Sequence, residues 1–180
     1  MNVDTIIYNI GHLYTPKGPV QRGKNMGNIT QITQAYIAIK DGIIIEIGKD
    51  YTHLLNEKVS LFDAGKMVVI PGYVDSHTHL VYGGSREHEF HQKITGVPYL
   101  DILKQGGGIL STVEQTRQLS EEELYKKSLG SLYELASYGV TTLEIKSGYG
   151  LNLETEMKQL NVISQLQNNT VLSMLPDSLG

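Results

Sequence analysis

The sequence predicts an α/β protein in which an all-β segment precedes alternating strands and helices. Short apolar and β-branched runs, separated by turn residues, fill residues 1 to about 70. Two segments with helical periodicity follow, at Ser120 to Tyr138 and at roughly Leu153 to Gln167. The β-branched run Val140–Lys146 lies between them and predicts a strand. We therefore divide the chain into an all-β region at residues 1–70 and an α/β region at residues 71–180.

In the all-β region, Asp41-Gly42 lies between two apolar runs and predicts a hairpin turn, because glycine tolerates the positive φ that such a turn requires. The first run is predicted to end in turn residues from Gly11 to Gly18, and a loop rich in Gly, Lys and Asn is predicted from Pro16 to Asn28. The predicted strands are Thr5–Ile10, Ala35–Lys40, Gly42–Gly48, Val59–Phe62 and Lys66–Ile70.

In the α/β region, the helix after Ser120 has clear start and stop signals: Ser120 is a good N-cap, three glutamates follow it, and Gly139 ends the helix. A shorter helix is predicted at Pro98–Gln105 and a further strand at Thr170–Leu175. Because three strands are too few to close a barrel of eight, we expect the chain to be truncated. The residues predicted to face the core are Leu124, Ser128, Leu132 and Leu135 in the helix after Ser120, and Met157, Leu160, Ile163 and Leu166 or Val162 in the next helix.

Composition excludes several classes of partner and ligand. The 180 residues are 40% hydrophobic and 19% charged, with a formal net charge of −4, so neither a nucleic acid nor an anionic membrane is expected as a partner. The sequence contains no cysteine, which excludes disulfides and thiolate ligands and leaves His, Asp, Glu or a modified Lys to hold any metal. No signal peptide and no apolar run long enough to cross a membrane is evident, so we expect a cytoplasmic protein.

The strongest chemical motif is His77-Thr78-His79, which follows the apolar run from Val68 to Val74. Residues two apart on a strand share a face, so both imidazoles are expected to project together from the strand's carboxyl end. Zinc or iron suits such nitrogen ligands. A His-x-His pair also arises by chance, and a catalytic zinc normally has at least three protein ligands, which are not evident here. His88 and His91 lie in a polar stretch and are expected to be exposed.

From Pro71 onward the residues resemble the amidohydrolase superfamily, whose signature is a His-x-His pair at the end of the first barrel strand. Three segments make the chain similar to the imidazolonepropionase family in particular, and the matches extend from about residue 60 to residue 167 in family order and spacing. These segments are Tyr82-Gly-Gly-Ser-Arg-Glu-His-Glu-Phe90, Gly106-Gly-Gly-Ile-Leu-Ser-Thr-Val113 and Glu144-Ile-Lys-Ser-Gly-Tyr-Gly-Leu151.

The resemblance implies hydrolysis of 4-imidazolone-5-propanoate to N-formimidoyl-L-glutamate, by metal-activated water, in cytoplasmic histidine degradation. It implies that residues 71–180 form the first units of a (β/α)8 TIM-type barrel and that residues 1–70 form part of a small β-sandwich built from both chain ends. His77 and His79 match ligands of one zinc or iron ion, and Arg86, Tyr149 and Tyr99 match substrate-binding positions. The general acid and base and the remaining ligands would lie beyond residue 180, and a homodimer is a family expectation.

Elementary chemistry supports these roles but leaves alternatives. A guanidinium such as that of Arg86 offers paired donors to the substrate's propionate, yet Arg86 is also explained as an exposed arginine. Tyr149 lies between two glycines in a turn, where a binding role is plausible from the residues alone, whereas Tyr99 at a helix start is equally explained by packing. Lys146 is a candidate catalytic residue or a strand-end lysine with structural contacts.

Two other functional interpretations stay open. The chain resembles other metal-dependent cyclic amidases and aminohydrolases, such as hydantoinases or guanine deaminases, in His77 and His79; these enzymes would not need Arg86 or the Tyr149 turn. The third interpretation is a non-catalytic truncated product. Because the remaining ligands and the acid/base group are absent from the 180 residues, our hypothesis is that this chain alone is inactive.

Overall fold

The structure is a computed structural model that describes residues 3–18 and 21–178. The chain divides into two compact units, the first ending at Pro71 and the second beginning at Gly72. The first unit is a sheet and the second alternates helices with parallel strands, so the predicted α/β class is confirmed. No helix in the described part of the chain is both long enough and apolar enough to cross a membrane.

A single mixed sheet forms the first unit. Its strands are β1 (Thr5–Pro16), β2 (Ile29–Lys40), β3 (Ile43–Gly48), β4 (Ser60–Asp63) and β5 (Val68–Val69). The strand order is β3-β2-β1-β4, and β5 also pairs with β1. The hairpins β1–β2 and β2–β3 are antiparallel, whereas β4 and β5 run parallel to β1. The core residues Ile6, Tyr36 and Ala38 pack on Leu54, which belongs to a short 3-10 turn. The 3-10 turns of this unit are Gly23–Asn25 and Thr52–Leu54.

The predicted hairpin turn at Asp41-Gly42 is confirmed. Lys40 pairs with Ile43 across it, so the loop has two residues. Asp41 has a φ of 51° and Gly42 a φ of 75°. Positive φ at both central positions is the type I′ geometry whose twist matches that of the flanking strands.

The predicted turn from Gly11 to Gly18 is wrong, because β1 continues to Pro16. The strand is irregular between Ile7 and Ile10, where it exchanges its neighbour β4 for β5. Gly11 makes this exchange possible: its N–H donates to the Met67 carbonyl at 3.0 Å, and a Cβ there would lie 2.2 Å from the Lys66 carbonyl oxygen. The glycine therefore serves a close approach of two backbones rather than a turn.

The second unit is built on a sheet of three parallel strands, β6 (Tyr73–Thr78), β7 (Val140–Lys146) and β8 (Ser173–Asp177). The strand order is β6-β7-β8. Its core contains Leu143 and Ile145 of the central strand, together with residues of the two longest helices. The helices at Glu87–Ile94 and Ile109–Gln118 were not predicted from the sequence. The helices are α1 (Glu87–Ile94), α2 (Tyr99–Lys104), α3 (Ile109–Gln118), α4 (Glu121–Ser137) and α5 (Leu153–Asn169).

The predicted start of α4 is confirmed as a capping box. The Glu123 N–H donates to the Ser120 hydroxyl at 3.3 Å, and the Ser120 N–H donates to the Glu123 carboxylate at 2.8 Å. Leu124, Ser128 and Leu132 are buried, as predicted.

The prediction for α5 is wrong at Met157, whose exposed fraction is 48%. Gln159 is fully buried on this helix instead, because its amide donates to the Val81 carbonyl at 2.6 Å. A buried amide that satisfies a distant backbone carbonyl leaves no trace in the hydrophobic periodicity on which the prediction relied. The residues Val162, Ile163 and Leu166 do face the core.

Candidate metal and substrate site

The two histidines of the His-x-His motif lie side by side at the carboxyl end of β6. Their ring centroids are 5.5 Å apart, with 69° between the ring planes. Thr78, between them, donates its hydroxyl to the Glu144 carbonyl at 2.8 Å, which ties this strand end to β7. His77 is exposed and His79 is half-buried.

One ring nitrogen of this pair lacks a hydrogen-bond partner among the described residues. Nδ1 of His79 is buried and has no hydrogen-bond partner in the part of the chain that the structure describes. A buried polar atom without a partner is uncommon in a folded protein and calls for an explanation such as an ion or a substrate group. Within residues 3–18 and 21–178, however, no three His, Asp or Glu side chains gather closely enough to hold a metal ion.

Tyr149 belongs to the connection between β7 and α5, residues 147–152, which we call the Tyr149 loop. Its ring centroid lies 5.2 Å from that of His79, at an angle of 69°. The structure thus brings together three of the five residues predicted for the site, His77, His79 and Tyr149. Edge-on contacts of this kind add modest stability and hold the rings in a defined orientation.

Tyr82 extends this row of rings and was not singled out from the sequence. It lies in the connection between β6 and α1, residues 79–86, which we call the His79 loop. The centroids of Tyr82 and Tyr149 are 5.9 Å apart, and the Lys127 ammonium lies 3.6 Å from the Tyr82 centroid. Burial lowers the pKa of Lys127. Two sequence signals pointed to Tyr82: it follows His79 by three residues, and it begins the matched segment that ends at Phe90.

Backbone N–H groups of the Tyr149 loop converge on Glu156, in the first turn of α5. Gly148 and Gly150 each donate at 2.7 Å and Leu151 at 2.8 Å. Burial opposes ionisation of this carboxyl, but the hydrogen bonds outweigh it and lower the pKa of Glu156. On the other side of the loop, Arg117 of α3 donates its Nε to the Gly150 carbonyl at 2.8 Å.

The predicted substrate residues Arg86 and Tyr99 lie outside this row of rings. Arg86 directly precedes α1 and is half-buried; its guanidinium makes no ion pair or hydrogen bond with any described residue. Tyr99 begins α2 and is 49% exposed. A Cβ added to Gly108 would lie 3.0 Å from the Tyr99 hydroxyl, so this glycine lets the loop before α3 approach the tyrosine. His88 and His91 are exposed, as predicted.

Lys146, at the end of β7, has structural partners. Its ammonium pairs with the carboxylates of Glu144 and Asp177, the latter at the end of β8. The hydrogen bonds to Asp177 and Glu144 raise the pKa of Lys146, and the same contact with Lys146 lowers the pKa of Asp177. These contacts agree with the interpretation of Lys146 as a strand-end lysine that joins two strands.

Curated imidazolonepropionases match the chain over essentially its whole length. The protein from Caldanaerobacter subterraneus subsp. tengcongensis is 48% identical over 181 residues, covering 100% of this chain and 43% of the relative. The proteins from Fusobacterium nucleatum and Bacillus velezensis are 50% and 46% identical, covering 96% and 99% of this chain. The chain spans about 43% of the length of such relatives, as an N-terminal portion. No protein-family model matches the chain. The predicted resemblance to imidazolonepropionases is confirmed.

Solved structures of two named enzymes have a fold similar to that of this chain. Guanine deaminase from E. coli has a TM-score of 0.64 at 14% identity, covering 97% of this chain and 35% of that protein. Ochratoxinase from A. niger has a TM-score of 0.58 at 17% identity, covering 100% of this chain and 32% of that protein. At these identities the likeness concerns the fold alone.

Proposed function

We propose that this chain, which is similar over its whole length to the N-terminal portion of imidazolonepropionases, contributes part of a metal-dependent hydrolase site. The reaction is the hydrolysis of 4-imidazolone-5-propanoate to N-formimidoyl-L-glutamate in cytoplasmic histidine degradation. In this proposal residues 71–180 are the first units of a (β/α)8 barrel, and residues 1–70 are part of a β-sandwich completed by the other chain end. Identities of 46–50% to proteins of that name support the substrate assignment.

The observation that supports the site best is the pair of adjacent imidazoles at the end of β6. His77 and His79 offer two imidazole groups as nitrogen ligands, and Nδ1 of His79 is buried without a partner among the described residues. This donor set fits zinc or iron, and the full ligand set requires residues from outside the 180. When bound, such an ion polarises a carbonyl and activates water at neutral pH.

The chain's own side chains bind and orient the substrate in this proposal. The Arg86 guanidinium, which has no ion-pair partner in the described part of the chain, receives the propionate through paired N–H donors. The Tyr149 hydroxyl supplies a neutral donor beside His79, and Tyr99 supplies another from the start of α2. Such fixed donors lower the entropic cost of bringing the ring carbonyl into position.

A chimera tests the proposal. This chain would replace the matching portion, 43%, of the Caldanaerobacter subterraneus relative, and turnover of 4-imidazolone-5-propanoate would be followed. We expect turnover, and a loss of at least about a hundredfold in kcat/KM for His77→Ala or His79→Ala, because metal-ion catalysis contributes several kcal/mol. Arg86→Ala is expected to raise KM for this substrate. Metal content, measured by elemental analysis, should fall with the two histidine variants.

His88→Ala is the matched control, since His88 is an exposed histidine on α1. It should leave both turnover and metal content unchanged. A chimera that is folded by circular dichroism but does not consume the substrate would refute the proposed reaction. Full activity and full metal content in the His77→Ala variant would refute the proposed metal ligands.

A further inference from the structure

We propose that Glu156 is a positioning residue, which fixes the Tyr149 loop so that the Tyr149 ring lies against His79. The inference rests on the proposed function, because it gives Glu156 a role only through the site to which Tyr149 belongs. Glu156 does not match any of the motif positions on which the resemblance was based. It lies in the first turn of α5, seven residues after Tyr149 in the sequence.

The carboxylate of Glu156 is the common acceptor for the backbone on both sides of Tyr149. One oxygen accepts from Gly148 at 2.7 Å, and the other accepts from Gly150 at 2.7 Å and Leu151 at 2.8 Å. Three N–H donors on one carboxylate are charge-assisted bonds, which are stronger than neutral ones. Because they bracket residue 149, they determine the direction in which its side chain leaves the backbone.

The loop needs such support because its backbone is strained. Gly148 has a φ of 120° and Leu151 a φ of 52°, and the latter is unfavourable for a residue with a branched side chain. Gly150 packs so closely that a Cβ there would lie 2.7 Å from the Glu156 N–H nitrogen. The glycines permit the turn, and the N–H bond from Leu151 to Glu156 helps to hold Leu151 in its unfavourable conformation.

Glu156 acts through the backbone and not by contact with the site. Its bonds go to N–H groups of the loop, whereas the Tyr149 ring contacts His79 at 5.2 Å and Tyr82 at 5.9 Å between centroids. The start of α5 is fixed independently, because Asn152 caps it by accepting from the Thr155 N–H at 2.8 Å. The helix can therefore remain intact when the Glu156 carboxylate is removed.

Glu154 provides a matched control. It is a second glutamate in the first turn of α5, so it too lies near the positive end of the helix dipole. It is exposed and, within the described residues, makes no hydrogen bond to the Tyr149 loop. A comparison of Glu156→Ala with Glu154→Ala therefore separates the loop contacts from a general effect of negative charge at the helix start.

The test is nuclear magnetic resonance of the metal-free 180-residue chain. In Glu156→Ala we expect loss of the ring-to-ring nuclear Overhauser effect between Tyr149 and His79. Amide exchange at Gly148, Gly150 and Leu151 should accelerate about tenfold, as the loss of one net hydrogen bond each predicts. The chemical shifts of the core methyl groups of Leu143 and Leu166 should stay unchanged. Glu154→Ala should change neither the contact between the Tyr149 and His79 rings nor the exchange rates of the loop amides.

Glu156→Gln gives a residue-by-residue check that keeps the side chain's size. Its one oxygen can accept from Gly150 and Leu151, while its NH2 group would face the Gly148 N–H, so only Gly148 should exchange faster. If Glu156→Ala does not fold, the amide exchange rate of Gly148 in Glu156→Gln tests the inference instead. An unchanged Gly148 amide in Glu156→Gln, or an intact Tyr149–His79 contact in folded Glu156→Ala, would overturn the inference.

The outcome is independent of the proposed reaction, because these measurements need neither metal nor substrate. If the chimera fails to turn over 4-imidazolone-5-propanoate while the ring contact still depends on Glu156, the reaction is wrong and the positioning role stands. If the chimera is active but the ring contact survives Glu156→Ala, the reaction stands and the positioning role is wrong.

Discussion

The His79 loop and the Tyr149 loop follow neighbouring parallel strands at the same edge of one sheet, yet different chemistry fixes them. The backbone of the His79 loop is bound by neutral side chains of distant helices: Gly83 donates to the Thr116 hydroxyl at 2.8 Å, and Gln159 donates to the Val81 carbonyl at 2.6 Å. The Tyr149 loop is bound by a carboxylate of the helix that directly follows it. The first loop should therefore depend on helix packing, and the second on the ionisation of one group.

The largest expected effect is that of Gly83→Ala on the His79 loop. A Cβ at residue 83 would lie 2.5 Å from backbone atoms of Gln115 and Thr116, so α3 would have to move away from the loop. We expect a loss of roughly 3 kcal/mol in the free energy of unfolding, measured by urea titration, since backbone clashes belong to the severe class of point mutations.

Gly130→Ala is the control for this substitution. A Cβ on Gly130 of α4 would meet no atom within 4 Å, so the change should stabilise the chain by about 0.5–1 kcal/mol through the higher helix propensity of alanine. If Gly83→Ala proves as harmless as Gly130→Ala, the close contact between the His79 loop and α3 does not exist in solution.

A smaller effect is expected for Gln159→Leu, which removes the donor to the Val81 carbonyl. Gln159 is fully buried, so the carbonyl would lose its partner away from water. An unpaired buried acceptor costs about 1–3 kcal/mol, again measured by urea titration. The exposed Gln167 of the same helix is the control, and Gln167→Leu should stay within about 0.5 kcal/mol of the parent. Equal stability of the two variants would argue against this hydrogen bond.

The smallest expected effect is a pH dependence confined to the Tyr149 loop. Burial raises the pKa of Glu156, but hydrogen bonding from the Ser147 side chain and from the backbone N–H groups outweighs it and lowers the pKa. The stabilising contacts of Glu156 are therefore fully present above the unfolded value of about 4.3 and disappear as pH falls through the folded value. The amide of Gly150 should lose protection on acidification, whereas that of Gly83, bonded to a hydroxyl, should not. Hydrogen exchange corrected for intrinsic rates measures both. Glu156→Gln should abolish the difference between acid and neutral pH; a dependence that persists in this variant would mean that another group is responsible.

Features that have local sequence signals could be predicted, whereas features that depend on contacts between distant segments could not. The hairpin at Asp41-Gly42, the cap at Ser120 and the strand Val140–Lys146 have local signals and were predicted correctly. The continuation of β1 past Gly11 depends on pairing with β5, more than fifty residues later, which no local pattern shows.

The candidate site also combines features that local sequence signals predict with contacts that only the structure shows. The adjacency of His77 and His79 follows from the period of a strand, and the glycines around Tyr149 predict a turn. The contact of Tyr149 with His79 and Tyr82, and the part played by Glu156, depend on how two loops meet and so required the structure. The functional roles of all the predicted site residues stay predictions, namely those of His77, His79, Arg86, Tyr99 and Tyr149.

The ion pairs of Lys146 have an electrostatic consequence for whatever enters at the strand ends. One ammonium faces two carboxylates, those of Glu144 and Asp177, so this trio has an excess negative charge of one at neutral pH. An incoming anion is repelled from the ends of β7 and β8 and must find its counter-ion on another element. Arg86, at the start of α1, is a cation whose charge no described carboxylate neutralises, so it can attract such an anion.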